Sequence, residues 1–203
     1  QQPGMGRELH ARSPVFAEAL DEVCGRLDPY LEVPLRDVMF AGAGTRTAAL
    51  LDRMAYGNPA VFALQVAQFR LLESRGVTPD VLFGYSAGRM AAAYAAGVFS
   101  LEDACRAVGT LSRLMGGLSG TGGMAALEAS EGELELPDDV VIAAVNGPRS
   151  VVVSGGRRAV ARVHAEWSAK GRRAHLLRVD MAPHSPHLDP LLDEFRTTMA
   201  AME

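Results

Sequence analysis

Apolar and polar positions recur with helical spacing in the N-terminal part of the chain. From Ser13 onwards, with Pro14 in the first turn, this spacing predicts an amphipathic helix. Its apolar face consists of Val15, Phe16, Leu20, Val23 and Leu27. A second helix is predicted to begin at Asn58 as N-cap, with Pro59 at its first position. This helix is expected to pack deeply in the core, because apolar residues continue along it to Gly76.

A short apolar run, Val81–Phe83, interrupts the helical spacing. Its length and its lack of alternation predict a strand buried on both faces. A helix of small residues, Ala87–Ala96, is predicted directly after it and is expected to end at Gly97. The sequence therefore predicts a strand, a tight turn and a helix in succession.

The next segment predicts one more helix and then a flexible connection. Ser100 with Asp103 resembles a capping box that opens a helix over Leu101–Met115. Gly116–Gly123 contains five glycines and two hydroxyl residues, a composition typical of a flexible connection. We expect a subdomain boundary there.

Beyond this connection the pattern predicts a small sheet domain and a final helix. The order is strand, helix, strand, strand, helix, strand, which is the ferredoxin-like arrangement. Asn146 and Gly147 are predicted to form the turn between the middle strands. A last amphipathic helix, Leu188–Met202, is expected to rejoin the larger part of the chain. The small-domain elements are Met124–Glu128, Ser130–Leu134, Val140–Val145, Ser150–Ser154, Arg157–Ala169 and Arg173–Val179.

Composition narrows the classes of function. The chain has 203 residues, 48% of them hydrophobic, which is enough for one sizeable core. A net charge of -4 gives no basic field for nucleic acid. Cys24 and Cys105 lack the spacing of a zinc site or a disulfide framework. Because no apolar run reaches membrane-spanning length and no signal peptide is recognisable, we expect a cytoplasmic protein that binds neither membranes nor metals.

The candidate chemistry lies at Gly84-Tyr85-Ser86-Ala87-Gly88, a GxSxG motif between the predicted strand and helix. In that position a sharp turn projects the serine side chain, and the glycines relieve backbone crowding. Ser86 is therefore the candidate nucleophile, and the N–H of Ala87 is placed to stabilise an oxyanion. A tight turn with a buried hydroxyl is the alternative interpretation.

A serine nucleophile needs a base, and a histidine is expected. His184 lies in an irregular segment at the return to the larger part, where a loop can face the serine; His187 is the weaker alternative. Asp180 and Asp189 are weak candidates for a third member, and backbone orientation of the histidine is equally compatible with the sequence. The other histidines are His10, His164 and His175.

Taken together, these motifs resemble the acyltransferase domain of modular polyketide synthases and malonyl-CoA:acyl carrier protein transacylase. The resemblance implies a ping-pong mechanism: Ser86 takes an acyl group from a thioester and His184 acts as base and then acid. It also implies acyl-CoA or phosphopantetheine thioester substrates, an acyl carrier protein and neighbouring synthase domains as partners, and no bound cofactor. The matching pieces are GMGREL from Gly4, SPVF from Ser13, NPA from Asn58, GYSAG from Gly84, LEDA from Leu101, VNGP from Val145 with Val152, Ser154 and Gly155, and HSP from His184.

The resemblance also implies the domain organisation. The expected fold class is α/β, with an α/β-hydrolase-like larger subdomain over residues 1–122 and 181–203. A ferredoxin-like small subdomain, residues 123–180, is inserted into it. Relative to the family the chain is incomplete at both ends, and Gln1 matches only the last residue of a GQGSQ segment that supplies an oxyanion-hole N–H. Either the sequence is a partial one or another chain supplies these parts.

Three departures from the family bear on the substrate. Tyr85 stands where a histidine is usual, and Arg89 where an acidic residue is common. Leu111 stands where members that use malonyl groups carry an arginine that pairs with the free carboxylate. Arg113 is about 200° further around the helix and is a doubtful substitute. We therefore expect an uncharged acyl group, as in loading or starter-unit transferases, because a buried unpaired carboxylate is costly.

Candidate substrate-binding residues follow from the matching positions. Asn58 corresponds to a glutamine of the family, with an N-cap as the alternative reason for its presence. Two other functions stay open from the sequence: an acyl-carrier-protein hydrolase on the same fold, and a noncatalytic docking domain of a synthase. The candidate binding residues are Tyr85, Asn58, Leu111, Arg113, Asn146, Met181 and Pro183.

Overall fold

The computed structural model of the chain describes residues 1–202, which form two compact units. The larger unit consists of Gln1–Leu114 together with the C-terminal residues from Glu194, and the smaller unit of Met115–Asp193. The subdomain limits that the sequence suggests stay a prediction.

Helices provide the regular structure of the larger unit. Helix α2 packs along α5, the longest helix of the described chain. None of the helices within residues 1–202 combines the length and apolar character that crossing a bilayer requires. The α-helices in chain order are α1 Arg7–Arg12, α2 Pro14–Leu27, α3 Leu35–Met39, α4 Arg46–Ala49, α5 Met54–Glu73, α6 Gly88–Ala95, α7 Leu101–Gly116, α8 Arg157–Ala169 and α9 Leu192–Ala200.

Two predicted helix starts are confirmed by their capping bonds. The hydroxyl of Ser13 accepts a hydrogen bond of 3.3 Å from the Phe16 N–H at the start of α2. The hydroxyl of Ser100 accepts one of 3.0 Å from the Asp103 N–H before α7, and donates at 2.7 Å to the Asp103 carboxylate. Both caps satisfy orphan N–H groups locally, which is why the sequence predicts them correctly.

The predicted start of the second long helix is wrong. Helix α5 begins at Met54, so Asn58 is not its N-cap and Pro59 lies inside the helix. Tertiary contacts stabilise the helical turn that precedes Asn58. Tyr56 is buried in the core, and its hydroxyl accepts a hydrogen bond of 3.0 Å from the Val33 N–H. These contacts offset the backbone bond that a proline inside a helix cannot make.

The core of the larger unit contains residues from α2, α3, α5 and α7. Phe16 and Phe62 are fully buried in it, as is most of the predicted apolar face of α2. Cys24 and Cys105 lie in the same cluster as free thiols. The core therefore accounts for both cysteines as small apolar residues.

We predict that these two thiols resist alkylation in the folded protein. Burial raises the pKa of Cys24 and of Cys105 to about 12. At pH 8 the reactive thiolate is then roughly a thousandfold scarcer than for an ordinary thiol. Iodoacetamide labelling followed by peptide mass spectrometry checks this, and labelling as fast as in denaturant would contradict it.

The predicted strand at Val81–Phe83 is not formed. The segment has no regular structure and pairs with no strand among residues 1–202, and 84% of Val81 and 86% of Phe83 are exposed. An extended segment becomes a strand only through ladder hydrogen bonds to a neighbour, which an apolar run does not supply by itself. The length and hydrophobicity of this run therefore do not by themselves produce a buried strand.

The smaller unit contains one antiparallel sheet in the order β2-β3-β1-β4. This is the strand order of the ferredoxin-like arrangement, as predicted. The first helix of the pattern is only a 3-10 turn, Glu131–Glu133, and helix α8 matches its predicted bounds. The strands are β1 Gly122–Leu127, β2 Val140–Gly147, β3 Ser150–Gly156 and β4 Ala174–Leu176.

The predicted turn between the middle strands is displaced by two residues. Gly147 pairs with Ser150, so Pro148 and Arg149 form the turn and Asn146 belongs to β2. Proline has a fixed φ and no N–H, which suits the turn better than the ladder. The final strand is also shorter than its predicted range.

Candidate active site

The GxSxG motif forms a sharp turn immediately before α6. Ser86 has φ 48, in the left-handed region that residues with a side chain rarely adopt. The turn is closed by hydrogen bonds from the Gly88 N–H to the Tyr85 carbonyl, 2.9 Å, and from the Arg89 N–H to the Ser86 carbonyl, 3.1 Å. Backbone strain of this kind is concentrated at functional sites.

Close approach of the backbone explains the first glycine of the motif. A Cβ on Gly84 would lie 2.5 Å from the Arg89 Cα and 2.9 Å from its N. The second glycine is less constrained, since a Cβ on Gly88 would meet the Gln65 amide at 3.4 Å. The chain can therefore fold back at Ser86 only because position 84 carries no side chain.

The N-terminus of α6 follows the serine directly. No backbone-to-backbone hydrogen bond from the Ala87 N–H is present within residues 1–202. A helix start also favours negative charge. The turn thus places an exposed serine directly before the start of a helix.

His184 has the same left-handed backbone conformation as Ser86. Among residues 1–202 the non-glycine residues with positive φ are these two, and His184 has φ 57. Met181 and Ala182 before it are fully buried, whereas His184 itself is exposed. The Ser185 hydroxyl donates a 2.7 Å hydrogen bond to the Ala182 carbonyl. The buried residues thus anchor an irregular loop that presents the imidazole at the surface of the smaller unit.

The other histidines have different settings. His10 lies 3.0 Å from the Asp21 carboxylate and contacts the edge of the Phe40 ring. His164 is in α8 and His175 is in β4. The backbone N–H of His187 donates to the Ser185 hydroxyl at 3.3 Å.

Helix α7 carries Leu111 and Arg113, the two residues on which the predicted acyl group depends. Arg113 donates to the Glu194 carboxylate of α9, and both side chains are more than half exposed. Leu111 is partly buried and Ser112, between them, is fully buried. The Arg113 guanidinium is thus paired with a carboxylate of the larger unit.

The remaining candidates divide between the two units. In the larger unit Tyr85 is 57% exposed and Asn58 is buried. In the smaller unit Asn146 is exposed near the end of β2, and Met181 and Pro183 are buried. Sequence reasoning missed Gln65, whose amide lies beside the turn; its only sequence signal is a polar residue in an otherwise apolar stretch of α5.

Comparison with known proteins shows the class of protein to which this chain belongs. The sequence model of the acyl transferase domain family matches residues 1–203, and the chain therefore belongs to this family. The predicted resemblance to this family is confirmed.

Individual relatives give the same result. The spectinabilin polyketide synthase system protein NorB of Streptomyces orinoci is 50% identical over 209 residues, with 100% of this chain and 10% of that protein covered. The solved acyltransferase domain from the second module of the salinomycin polyketide synthase is 45% identical with a TM-score of 0.85, covering 100% of this chain and 47% of that one. A loading acyltransferase from the avermectin modular polyketide synthase is 34% identical with a TM-score of 0.90, covering 100% and 65%.

These matches cover the whole of this chain but only part of each relative. The likeness to the solved domains confirms the predicted α/β fold class. The chain spans 10% of the curated relative and 47% to 65% of the two solved chains. It therefore corresponds to part of an acyltransferase domain within larger proteins.

Proposed function

We propose that this chain transfers an acyl group from a coenzyme A or phosphopantetheine thioester, through an ester on Ser86, to an acyl carrier protein. The observation that carries the proposal is the left-handed backbone of Ser86 within GxSxG, in a member of the acyl transferase domain family. A sharp turn at the nucleophile projects its hydroxyl away from the backbone, where a thioester carbonyl can approach it. The reaction as proposed uses no metal and no bound cofactor.

The proposed mechanism has two matching half-reactions. His184 accepts the hydroxyl proton as the Ser86 oxygen attacks the thioester carbonyl carbon; the C–S bond then breaks, and the departing sulfur takes the proton. The acyl group remains on Ser86 as an ester. The carrier thiol next attacks this ester, His184 accepts the thiol proton and returns it to the serine oxygen. The Ala87 N–H stabilises the negative oxygen of both tetrahedral intermediates.

The proposed cargo is an uncharged starter acyl group. Leu111 offers no charge to a carboxylate, and the Arg113 guanidinium is engaged by Glu194. A free carboxylate in the acyl pocket would therefore lack a partner, which is costly. The likeness to a loading acyltransferase is in keeping with this cargo.

The proposed partners are an acyl carrier protein and neighbouring synthase domains. Their support is the small share, 10%, that this chain covers of a polyketide synthase relative. We further propose that the acyl group and its phosphopantetheine arm contact the remaining candidate binding residues. These are Tyr85, Asn58, Asn146, Met181 and Pro183.

An arginine at position 111 tests the proposed cargo. We expect the full-length wild-type protein to acylate Ser86 from propionyl-CoA at least tenfold faster than from malonyl-CoA. Leu111→Arg should shift this ratio toward malonyl by about 10- to 100-fold, because a charge-assisted hydrogen bond contributes about 1.5–3 kcal/mol. Peptide mass spectrometry of the acylated serine measures both rates. Leu72→Arg, on an exposed part of α5, is the matched control for added charge and should leave the ratio unchanged.

The same experiment distinguishes the alternatives. A wild-type preference for malonyl-CoA overturns the uncharged cargo but not the transferase. An adduct that water removes as fast in the absence of carrier protein as in its presence indicates a hydrolase. No adduct with any acyl-CoA indicates a noncatalytic docking domain.

A further inference from the structure

The segment that carries His184 lies unusually close to the first strand of the smaller unit. A Cβ on Gly122, the first residue of β1, would lie 2.6 Å from both the N and the Cβ of Ala182, and 2.9 Å from the carbonyl carbon of Met181. These distances are shorter than real Cβ contacts allow. Two of the three atoms are backbone, so a side chain at position 122 cannot be accommodated by a rotamer change.

Gly122 is not needed for its backbone conformation. Its φ lies outside the left-handed region, unlike that of Gly120, and it pairs with Gly156 in the regular ladder of the sheet. The absence of a side chain is therefore required by the close approach of the Met181–Ala182 backbone alone.

Further bonds hold the same two segments together. The Gly120 N–H donates to the Asp180 carbonyl at 2.6 Å, and the Ser119 hydroxyl donates to the Asp180 carboxylate. Residues 119–122 and 180–182 thus run side by side, with Met181 and Ala182 fully buried. Two residues after this buried pair the chain turns through the left-handed conformation of His184.

We infer that Gly122 is a positioning residue for His184. The absence of a side chain at position 122 lets the buried Met181–Ala182 backbone lie against β1. This contact fixes the position from which the exposed imidazole extends. The inference rests on the proposed role of His184 as base. A displacement of the loop by about 1 Å can lower the rate of a proton-transfer step by about 100-fold, although the residue touches no substrate.

Gly122→Ala is the test, and the neighbouring glycine provides a matched control. In the full-length protein we expect Gly122→Ala to lower kcat for acyl transfer by 10- to 100-fold with KM changed less than threefold. It should also flatten the rise of kcat with pH through the histidine range, since the base no longer meets the hydroxyl. Gly123→Ala adds the same methyl group where nothing lies within 4 Å, and should keep both kcat and the pH profile.

Two further variants separate the possible failures. His184→Ala should lose activity and the pH dependence; if it retains them, the proposed base is wrong whatever Gly122 does. If His184→Ala loses activity but Gly122→Ala behaves as Gly123→Ala, only the positioning role is wrong. If amide exchange shows that Gly122→Ala unfolds β1, kcat of Ser119→Ala is measured instead, because this variant weakens the same pairing of the two segments. A fall of about threefold in its kcat supports the inference, and no change overturns it.

Discussion

Ser86→Ala is expected to abolish the covalent acyl adduct, with a fall in transfer rate of at least about a thousandfold. The proposed mechanism passes through an ester on the serine oxygen, and a methyl group offers no atom to carry it. Ser86 has the left-handed backbone of the turn, which the neighbouring hydroxyl-bearing residue, Tyr85, does not share. Incubation of the full-length protein with an acyl-CoA, digestion and mass spectrometry of the peptide that contains position 86 measures the adduct.

The controls test whether the loss is specific to this hydroxyl. Ser74→Ala removes an exposed serine hydroxyl of the same unit and should leave the adduct unchanged. Ser86→Cys should form a thioester of the same acyl group, since a thiol can replace the nucleophile. An adduct of undiminished yield in Ser86→Ala would contradict the nucleophile assignment directly.

Phe62→Ala is expected to destabilise the larger unit by about 3–5 kcal/mol. Phe62 is fully buried on α5, and truncation of a buried phenylalanine leaves a cavity that the packed helices refill only in part. A protein with several domains can unfold in more than one transition, so a single free energy of unfolding is not well defined. Peptide-resolved amide exchange of α2 and α5 reports on the larger unit alone and is the suitable measurement. Exchange in both helices should accelerate together.

Leu72→Ala is the matched control on the same helix. Its side chain is 51% exposed, so the expected change is below about 0.5 kcal/mol. Equal acceleration of exchange by both substitutions would show that α5 is not held by the core packing described above.

Sequence reasoning succeeded where the determining interaction is local. Ser13 and Ser100 cap helices through bonds to residues three positions away, so their role is visible in the sequence itself. The bounds of α8 are likewise predicted, because its buried apolar residues recur with helical period and pack in one cluster with the sheet. The GxSxG turn belongs to the same category, since glycine, serine and helix start are contiguous.

Predictions from the sequence were wrong where a contact between residues distant in sequence determines the local structure. Pro59 would ordinarily mark a helix start, but burial of Tyr56 extends α5 by a turn before it. Val81–Phe83 has the composition of a strand, but strand formation depends on a hydrogen-bonding neighbour, which residues 1–202 do not supply. Neither outcome could be predicted from local propensity.

The sequence by itself thus determined the nucleophile candidate, the base candidate, the family and the order of most elements, because motif residues and periodic apolar positions act over a few residues. Only the tertiary structure decided that Glu194 engages Arg113 and that Gly122 must lack a side chain. The physical reason is steric and electrostatic: each of these features depends on atoms that are distant in sequence, and their proximity exists only once the chain has folded.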